Sequence, residues 1–200
     1  SRRIGREPIL GAAKITGKIG RSTTVGVLAG ATSPYHFLDW IGDRSQFVAG
    51  RETGDYQVVR VQQDILGNGS AIGLMGTRAH RPGLDPSTTG GVDLGLRTRS
   101  QRYSAYGQFV ASRAPVHGIE TRGHGVHLTA WKLSSKHLSA NIDYKYLSPT
   151  LRLNDLGYLR RADDQAALAW VQYKENEPKN GLRSWRANLS KQNEWNARGL

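Results

Sequence analysis

The chain has 200 residues and a formal net charge of +12, and it contains no cysteine, which excludes disulfides, thiol nucleophiles and cysteine-ligated zinc. No apolar run approaches the roughly 20 residues that a membrane-spanning helix needs, so helical spans are excluded, whereas barrel strands remain compatible with a mean hydropathy of -0.53. The basic residues are scattered rather than gathered in one block, and we therefore expect no nucleic-acid partner.

The first periodic segment follows a polar arm at residues 1–8. In residues 9–19 isoleucine, glycine and alanine alternate with Lys14, Thr16 and Lys18, which predicts a strand with one polar face. A turn at residues 20–22 and a second alternating segment complete a hairpin over about 9–32. Residues 33–55 carry aromatic side chains without sustained alternation, and we predict a long loop there.

The same unit repeats four more times along the chain. Further hairpins are predicted over about 56–80, 92–114, 125–148 and 165–192, joined by loops at 81–91, 115–123 and 147–164. The turn at Gly67-Asn68-Gly69 contains the Asn-Gly pair that favours tight hairpins. No segment shows helix periodicity, so the pattern predicts an all-β chain of about ten antiparallel strands in up-and-down order.

The hairpin 125–148 shows the two faces most clearly. In its return arm one face is apolar and aromatic, and the other is polar; the apolar side chains are Leu138, Ala140, Ile142, Tyr144 and Tyr146. A soluble sandwich would bury the apolar face, whereas a membrane barrel would turn it to lipid. Strands of about ten residues with aromatics near their ends favour the barrel, and we expect a charge to be costly at Ile142 and tolerated at Asn141.

Four short segments resemble those of a known family. They are Ser1 to Arg6, Ile9 to Lys18, Val25 to Leu28 and Asn154 to Asp163. Together the chain is similar to a bacterial family of unknown function whose barrel region follows an amino-terminal carbohydrate-binding domain of the family-9 type. The resemblance implies a bacterial outer-membrane location and carries over no catalytic residue. It also implies that residues 1–200, a single domain, form a segment of a larger barrel.

The polar face provides the candidate binding residues. In a pore this face would line the lumen, and its cations outnumber Asp64, Asp93 and Asp143, which predicts a preference for anionic solutes or anionic sugars. The candidate lumen cations are Lys14, Lys18, Arg60, Arg97, Arg99, Lys145 and Arg186.

The loop after the fourth hairpin has a concentrated charge pattern. Asp155, Arg160, Arg161 and Asp163 could form a gate in which the arginine pair meets acidic wall residues or an anionic ligand. The alternative is a self-contained loop whose charges cap its own turns.

Catalytic and metal sites are not expected. His117, Glu120, His124 and His127 lie close in sequence, but their spacing fits no metal-binding template. His127 on a strand is the one candidate base for a lipid-cleaving barrel enzyme, and no serine has a nucleophile motif. We therefore expect a non-enzymatic chain without metal or cofactor.

Three functions follow from this reading. The first is an outer-membrane barrel that acts as a pore or transport component, is linked to carbohydrate binding and has lipid and a saccharide or anionic solute as partners. The second is a plugged barrel that anchors a carbohydrate-binding domain in the membrane. The third is a soluble, secreted β-sandwich that acts as a binding module.

Overall fold

The computed structural model describes residues 9–33, 35–41, 44–50, 53–80, 85–116, 118–133, 136–154, 159–178, 181–197 and 199. For residues 35–50 the description covers the backbone alone. Its strands are β1 (Ile9–Ile19), β2 (Thr23–Thr32), β3 (Tyr35–Ile41), β4 (Arg44–Gly50), β5 (Gly54–Ile65), β6 (Ser70–His80), β7 (Ser87–Arg97), β8 (Tyr103–Val116), β9 (Ile119–Lys132), β10 (Leu138–Leu147), β11 (Asp164–Glu175) and β12 (Trp185–Trp195).

Ten of these strands form one antiparallel sheet in the order β1-β2-β5-β6-β7-β8-β9-β10-β11-β12. Strands that are consecutive along the chain within this sheet are paired with each other, so the sheet is a meander. The remaining strands, β3 and β4, pair with each other in a separate two-stranded sheet. The all-β, antiparallel, up-and-down architecture with ten strands is thereby confirmed.

Three predicted loop boundaries were wrong. Strands β8 and β9 continue to Val116 and Ile119, so most of the predicted loop 115–123 is a hairpin end. At this end Glu120 makes an ion pair across the hairpin with Arg113 of β8 and a second ion pair with Arg122 of its own strand. Similarly, β7 begins at Ser87, inside the predicted loop 81–91, and β3 and β4 occupy most of residues 33–55.

The ten strands do not close into a barrel. In the described part of the chain, β1 pairs with β2 alone and β12 with β11 alone, so both strands are edges of an open sheet. An edge strand presents unpaired backbone N–H and C=O groups that another strand can bind.

The sheet has one polar and one apolar face, because side chains alternate along each strand and directly paired residues point the same way. One row across the apolar face comprises Val61, Leu74, Val92, Phe109, Val126 and Tyr146. The neighbouring row on the polar face comprises Gln62, Gly73, Asp93, Gln108, His127 and Lys145. The separation is not complete, since Lys191 lies on the apolar face opposite Ala169.

The apolar face is exposed over the whole width of the sheet. Ile15 in β1, Ile142 in β10 and Leu189 in β12 are 77%, 64% and 76% exposed. Among the described side chains only three hydrophobic ones are buried, namely Ala79, Ala114 and Leu151. Strands of the described chain approach only their partners in a sheet, so this part of the molecule is a single layer without a conventional core.

The elements of the described residues are all strands. Within the described ranges no helix is long and apolar enough to span a membrane.

Candidate functional site

Six of the seven predicted lumen cations lie on the polar face. The register places Lys14 and Lys18 in β1, Arg60 in β5, Arg97 in β7, Lys145 in β10 and Arg186 in β12 on this face. Arg99 is the exception, because β7 ends at Arg97 and Arg99 lies in the turn that follows. The predicted strand position of Arg99 was therefore wrong.

Arg60 is held by a carboxylate across β6. Its two terminal nitrogens donate to the two oxygens of Asp93, each at 2.9 Å. Asp93 is in β7, and its side chain is only 14% exposed. A bidentate pair of this kind fixes both side chains and neutralises both charges.

Gly73 makes room for this ion pair. A Cβ atom at Gly73 would lie 2.6 Å from Asp93 Oδ2 and 2.7 Å from Arg60 Nη2. The strand between the two charged residues must therefore lack a side chain at this point. A glycine inside a strand often marks such a close approach.

A second polar pair follows along the same face. His127 Nε2 lies 2.8 Å from Asp143 Oδ2, and the edge of the Tyr106 ring meets the imidazole at a centroid distance of 6.1 Å. No serine or threonine hydroxyl is hydrogen-bonded to His127 among the described residues, so the pair has no attached nucleophile. His124 lies two positions before Val126 in β9. It is therefore on the apolar face, whereas His127 is on the polar face.

The positions of the candidate histidines do not support a metal site. His117 lies outside the described residues, and His124 and His127 are on different faces of the sheet. In the described ranges no three histidine or acidic side chains are grouped as metal ligands would be.

Lys145 and the predicted gate meet at Asp164. Lys145 Nζ lies 2.7 Å from one oxygen of Asp164, and the other oxygen accepts a hydrogen bond from Arg161 Nη2 at 2.9 Å. The predicted gate residue Arg161 therefore contacts the sheet. Of the acidic residues in the predicted gate, Asp163 accepts a hydrogen bond from the backbone N–H of Ala197, and Asp155 lies outside the described residues.

These contacts favour loop capping over gating for most of the predicted gate. Asp163 has a φ of 55°, in the left-handed region, and it closes the loop through a hydrogen bond from its own N–H to Ser148 O. Arg160 is exposed and makes no ion pair with the described residues. Among the described gate residues, Arg161 shares the carboxylate of Asp164 with Lys145, a predicted lumen residue.

Residues 148–154, which we call the strap, fold back over the polar face. Ser148 Oγ accepts a hydrogen bond from His124 N at 2.9 Å, and Thr150 Oγ1 donates to Arg122 O at 2.6 Å. Further along, Arg152 N donates to Ser112 Oγ at 3.0 Å. The strap thus crosses from β9 to β8.

The strap is seated on two glycines. Leu151 is fully buried, and a Cβ atom at Gly123 would collide with the Leu151 backbone. At Gly125 a Cβ atom would lie 3.2 Å from Leu151 Cδ2. Both glycines are in β9 and pair with polar-face positions of β8. The strap can therefore pack closely because β9 lacks two side chains beneath it.

Two cavities lie on the polar face beside these features. One, of about 170 Å³, is lined by Leu153 of the strap together with Arg60 and Asp93. The other, of about 340 Å³, lies over Gly26 and is lined by Lys14, Thr16, Arg60 and Gln62 among others. Among the described residues, Lys14, Lys18 and Arg186 make no ion pair with a carboxylate, and of these three Lys14 lines the larger of the two cavities.

The connections at the far ends of the strands carry a separate ion pair. Lys136, before β10, donates to Glu177, after β11, with a nitrogen–oxygen distance of 2.8 Å. The hydrogen bond from Lys136 lowers the pKa of the Glu177 carboxyl, and the same contact raises the pKa of Lys136. The pair is exposed to solvent. It links the two connections but does not form part of a buried core.

The polar-face sequence pattern identified the cations but missed their neighbours. The sequence did not predict the space at Gly73, the ion pairs at Asp164 or the packing of Leu151 on β9. The glycines on the polar side of β6 and β9 were nevertheless visible in the sequence. A glycine at a polar-face position inside a strand is the signal that could have indicated a close approach.

Comparisons with known proteins identify a family but no characterised relative. No curated protein and no solved structure gives a significant match to the chain. The family described as "Domain of unknown function (DUF5916)" matches residues 2–199. The chain therefore belongs to this family.

Proposed function

We propose that the chain forms part of the wall of a β-barrel in a bacterial outer membrane. In this arrangement the apolar face contacts lipid, and the polar face lines a passage for a saccharide or an anionic solute. The chain acts as a pore or transport component linked to carbohydrate binding, without enzymatic activity and without nucleic acid as a partner.

The observation that carries this proposal is the single amphipathic layer. Apolar side chains are exposed from Ile15 at one edge to Leu189 at the other. A soluble monomer rarely exposes a contiguous apolar patch larger than a few hundred Å². A lipid bilayer covers such a face without requiring a second protein layer, since barrel strands turn alternate side chains to hydrocarbon.

Aromatic clusters at two levels of the apolar face support the same proposal. Phe109 and Tyr146 flank His124, with centroid distances of 6.5 and 5.5 Å. Toward the other ends of the strands, Tyr173 stacks on Trp185 at 5.3 Å. Aromatic side chains at two levels are typical of the interface girdles of outer-membrane barrels.

Closure of the wall requires partners for both sheet edges. Within the proposal, β1 and β12 pair with further strands, so that the ten strands are a segment of a larger barrel. Closure is required in a bilayer because every backbone group there must be hydrogen-bonded, and an exposed edge would leave such groups unpaired.

The solute preference rests on cations that lack a paired carboxylate. Asp93 neutralises Arg60, and Asp164 neutralises Lys145, so these two contribute less than the sequence suggests. Lys14, Lys18 and Arg186 then provide the positive potential that favours anions.

A plugged barrel that serves as a membrane anchor is the second candidate, and the strap favours it. A fully buried Leu151 and hydrogen bonds to three strand residues hold residues 148–154 against the polar face. If the strap and its neighbours fill the interior, the barrel holds a carbohydrate-binding domain at the membrane and conducts no solute.

The soluble sandwich has less support from the geometry. A sandwich packs two sheets face to face at about 10 Å. In the described part of the chain no second sheet contacts the apolar face.

Lipid contact is tested by site-directed fluorescence quenching. A fluorophore is attached in turn at Ile142 and Ala140 on the apolar face and at Ser139 on the polar face, and the vesicles carry quenchers in the hydrocarbon. We expect quenching at Ile142 and Ala140 but not at Ser139. Equal quenching at all three sites, or none at any, would contradict the proposal.

Planar-bilayer conductance of the full-length parent protein then separates the two membrane functions. Open-channel steps with anion preference support the pore, whereas a silent bilayer with inserted protein supports the anchor.

A further inference from the structure

We propose that a groove on the apolar face binds one phospholipid with an anionic head group. The inference rests on the proposed membrane location, and it adds a specific lipid ligand to a face that otherwise contacts lipid non-specifically. The groove lies at the end of the sheet where β7 connects to β8 and β9 connects to β10.

The shape of the groove follows from residue size and register. Ala105 in β8 pairs directly with Ala130 in β9, and Ala140 in β10 is the next small residue on the same face. Larger side chains surround these alanines: Leu96 and Tyr103 on one side and Ile142 on the other. The result is a groove of about 510 Å³, which is within the range of small-molecule pockets.

The walls of the groove are available to a ligand. Tyr103 is 51% exposed and Ile142 is 64% exposed, so neither is covered by the protein. The floor and walls are apolar, which suits an acyl chain rather than a sugar or a peptide with polar groups.

The charge at one end of the groove determines the class of lipid. Lys132 pairs with both Tyr103 and Ala140, so its side chain lies on the same face at the turn end of the groove. Arg99 and Arg102 occupy the turn immediately before Tyr103. Residues 94–119 and 121–142 contain no Asp or Glu, and Lys132 makes no ion pair within the described chain.

An apolar groove that ends in uncompensated cations matches an amphiphile with a negative end. Anionic head groups attract basic residues near the membrane surface, and each residue contributes severalfold to binding. A zwitterionic lipid would fill the groove equally well but would gain much less from Lys132 and the two arginines. The geometry therefore selects an anionic phospholipid.

The test measures lipid retention by native mass spectrometry. The chain is reconstituted with equal amounts of phosphatidylglycerol and phosphatidylcholine of matched acyl chains, and lipids that remain bound after mild detergent release are counted. We expect one phosphatidylglycerol to be retained in preference to phosphatidylcholine. Lys132→Ala should reduce this preference about fivefold, and Ala130→Leu should remove the bound lipid by filling the groove.

Matched controls separate the groove from the rest of the apolar face. Lys191→Ala removes the lysine of β12 on the same face, and Ala187→Leu enlarges an exposed alanine of that strand; neither residue lines the groove. Both controls should retain phosphatidylglycerol as the unmodified chain does. Because Lys132→Ala removes no packed side chain from the groove floor, it tests the inference even if Ala130→Leu fails to fold.

Three results would overturn the inference. Equal retention of the two lipids would show that charge does not select the ligand, and unchanged preference in Lys132→Ala would exclude the proposed head-group contact. Failure of the chain to float with vesicles of pure phosphatidylcholine would remove the membrane location and this site together. If the chain floats, either of the first two results removes this site alone.

Discussion

At the scale of single residues, the polar face is organised by hydrogen bonds that the alternation pattern does not reveal. Asn141 was expected to tolerate a charge because it alternates with apolar residues, but it is buried and its amide is used. Its Nδ2 donates to Thr129 Oγ1 at 3.0 Å and to Ala130 O at 3.1 Å. These contacts argue against that expectation, since a carboxylate cannot donate these bonds.

The first prediction concerns this amide. Asn141→Asp should lower the free energy of unfolding by about 1–3 kcal/mol, because it replaces donors with an acceptor facing two oxygens. Asn188→Asp is the control, since the exposed Asn188 only accepts a hydrogen bond from Gln172 and a carboxylate can do the same. Urea unfolding in detergent measures both, and equal midpoints for the two variants would contradict the role of Asn141.

The second prediction concerns the exposed pair between Lys136 and Glu177. The contact lowers the pKa of Glu177 from its ordinary value of 4.5, so it stabilises the fold above that value, and this stabilisation is lost as the pH falls through the lowered pKa. The pKa of Lys136 is raised, so its stabilisation is lost as the pH rises through the raised pKa. Lys136→Ala should return the pKa of Glu177 toward its ordinary value in a carboxyl NMR titration. Lys191→Ala should leave it unchanged.

At the scale of elements, the strap comes closest to the strand beneath it at Gly123, one of its two glycines. Gly123 faces the Leu151 backbone at a distance that no side chain could occupy. The strap has no regular structure of its own, so its position depends on this seat and on its hydrogen bonds to β8 and β9.

The third prediction is that Gly123→Ala displaces the strap. Overpacking of a close contact costs about 1–3 kcal/mol, and trypsin should then cleave after Arg152 faster than in the unmodified chain. Gly76→Ala in β6 is the control, because nothing lies within 4 Å of the Cβ position there. Unchanged cleavage in Gly123→Ala would mean that Gly123 does not hold the strap.

At the scale of the whole molecule, ten strands form one layer whose two faces have opposite chemistry. The net charge of the polar face depends on how many of its cations are paired with carboxylates. The preference of this face for anions therefore depends on which cations are neutralised. Asp93 and Asp164 each remove one positive charge from that sum.

The fourth prediction follows from this balance. Asp93→Asn should raise the preference for anions severalfold by releasing the charge of Arg60, and Lys14→Gln should lower it. Asp85→Asn, the same change in an exposed loop before β7, should have little effect. The reversal potential under a salt gradient measures all three. An equal shift for Asp93→Asn and Asp85→Asn would indicate overall charge rather than the polar face.

The sequence by itself determined the elements that depend on local geometry. Alternation of side chains in a strand follows from backbone geometry, so the assignment of Lys14, Arg60 and Lys145 to one face required no knowledge of neighbouring strands. Turn residues such as Asn68 and Gly69 placed a hairpin end in the same way. The strand order was also predictable, since short connections favour pairing between neighbours.

Only the tertiary structure decided how these elements meet. The bond between Arg60 and Asp93 spans 33 residues and requires a particular register on both sides of β6, where Gly73 leaves the space. Leu151 packs on Gly123 only because the strap returns over β9. In the same way, Lys145 and Arg161 share the carboxylate of Asp164 because the loop returns to the sheet there. Period-two alternation fixes which face a side chain occupies, but register and loop position arise from contacts between distant parts of the chain, which a local pattern cannot encode.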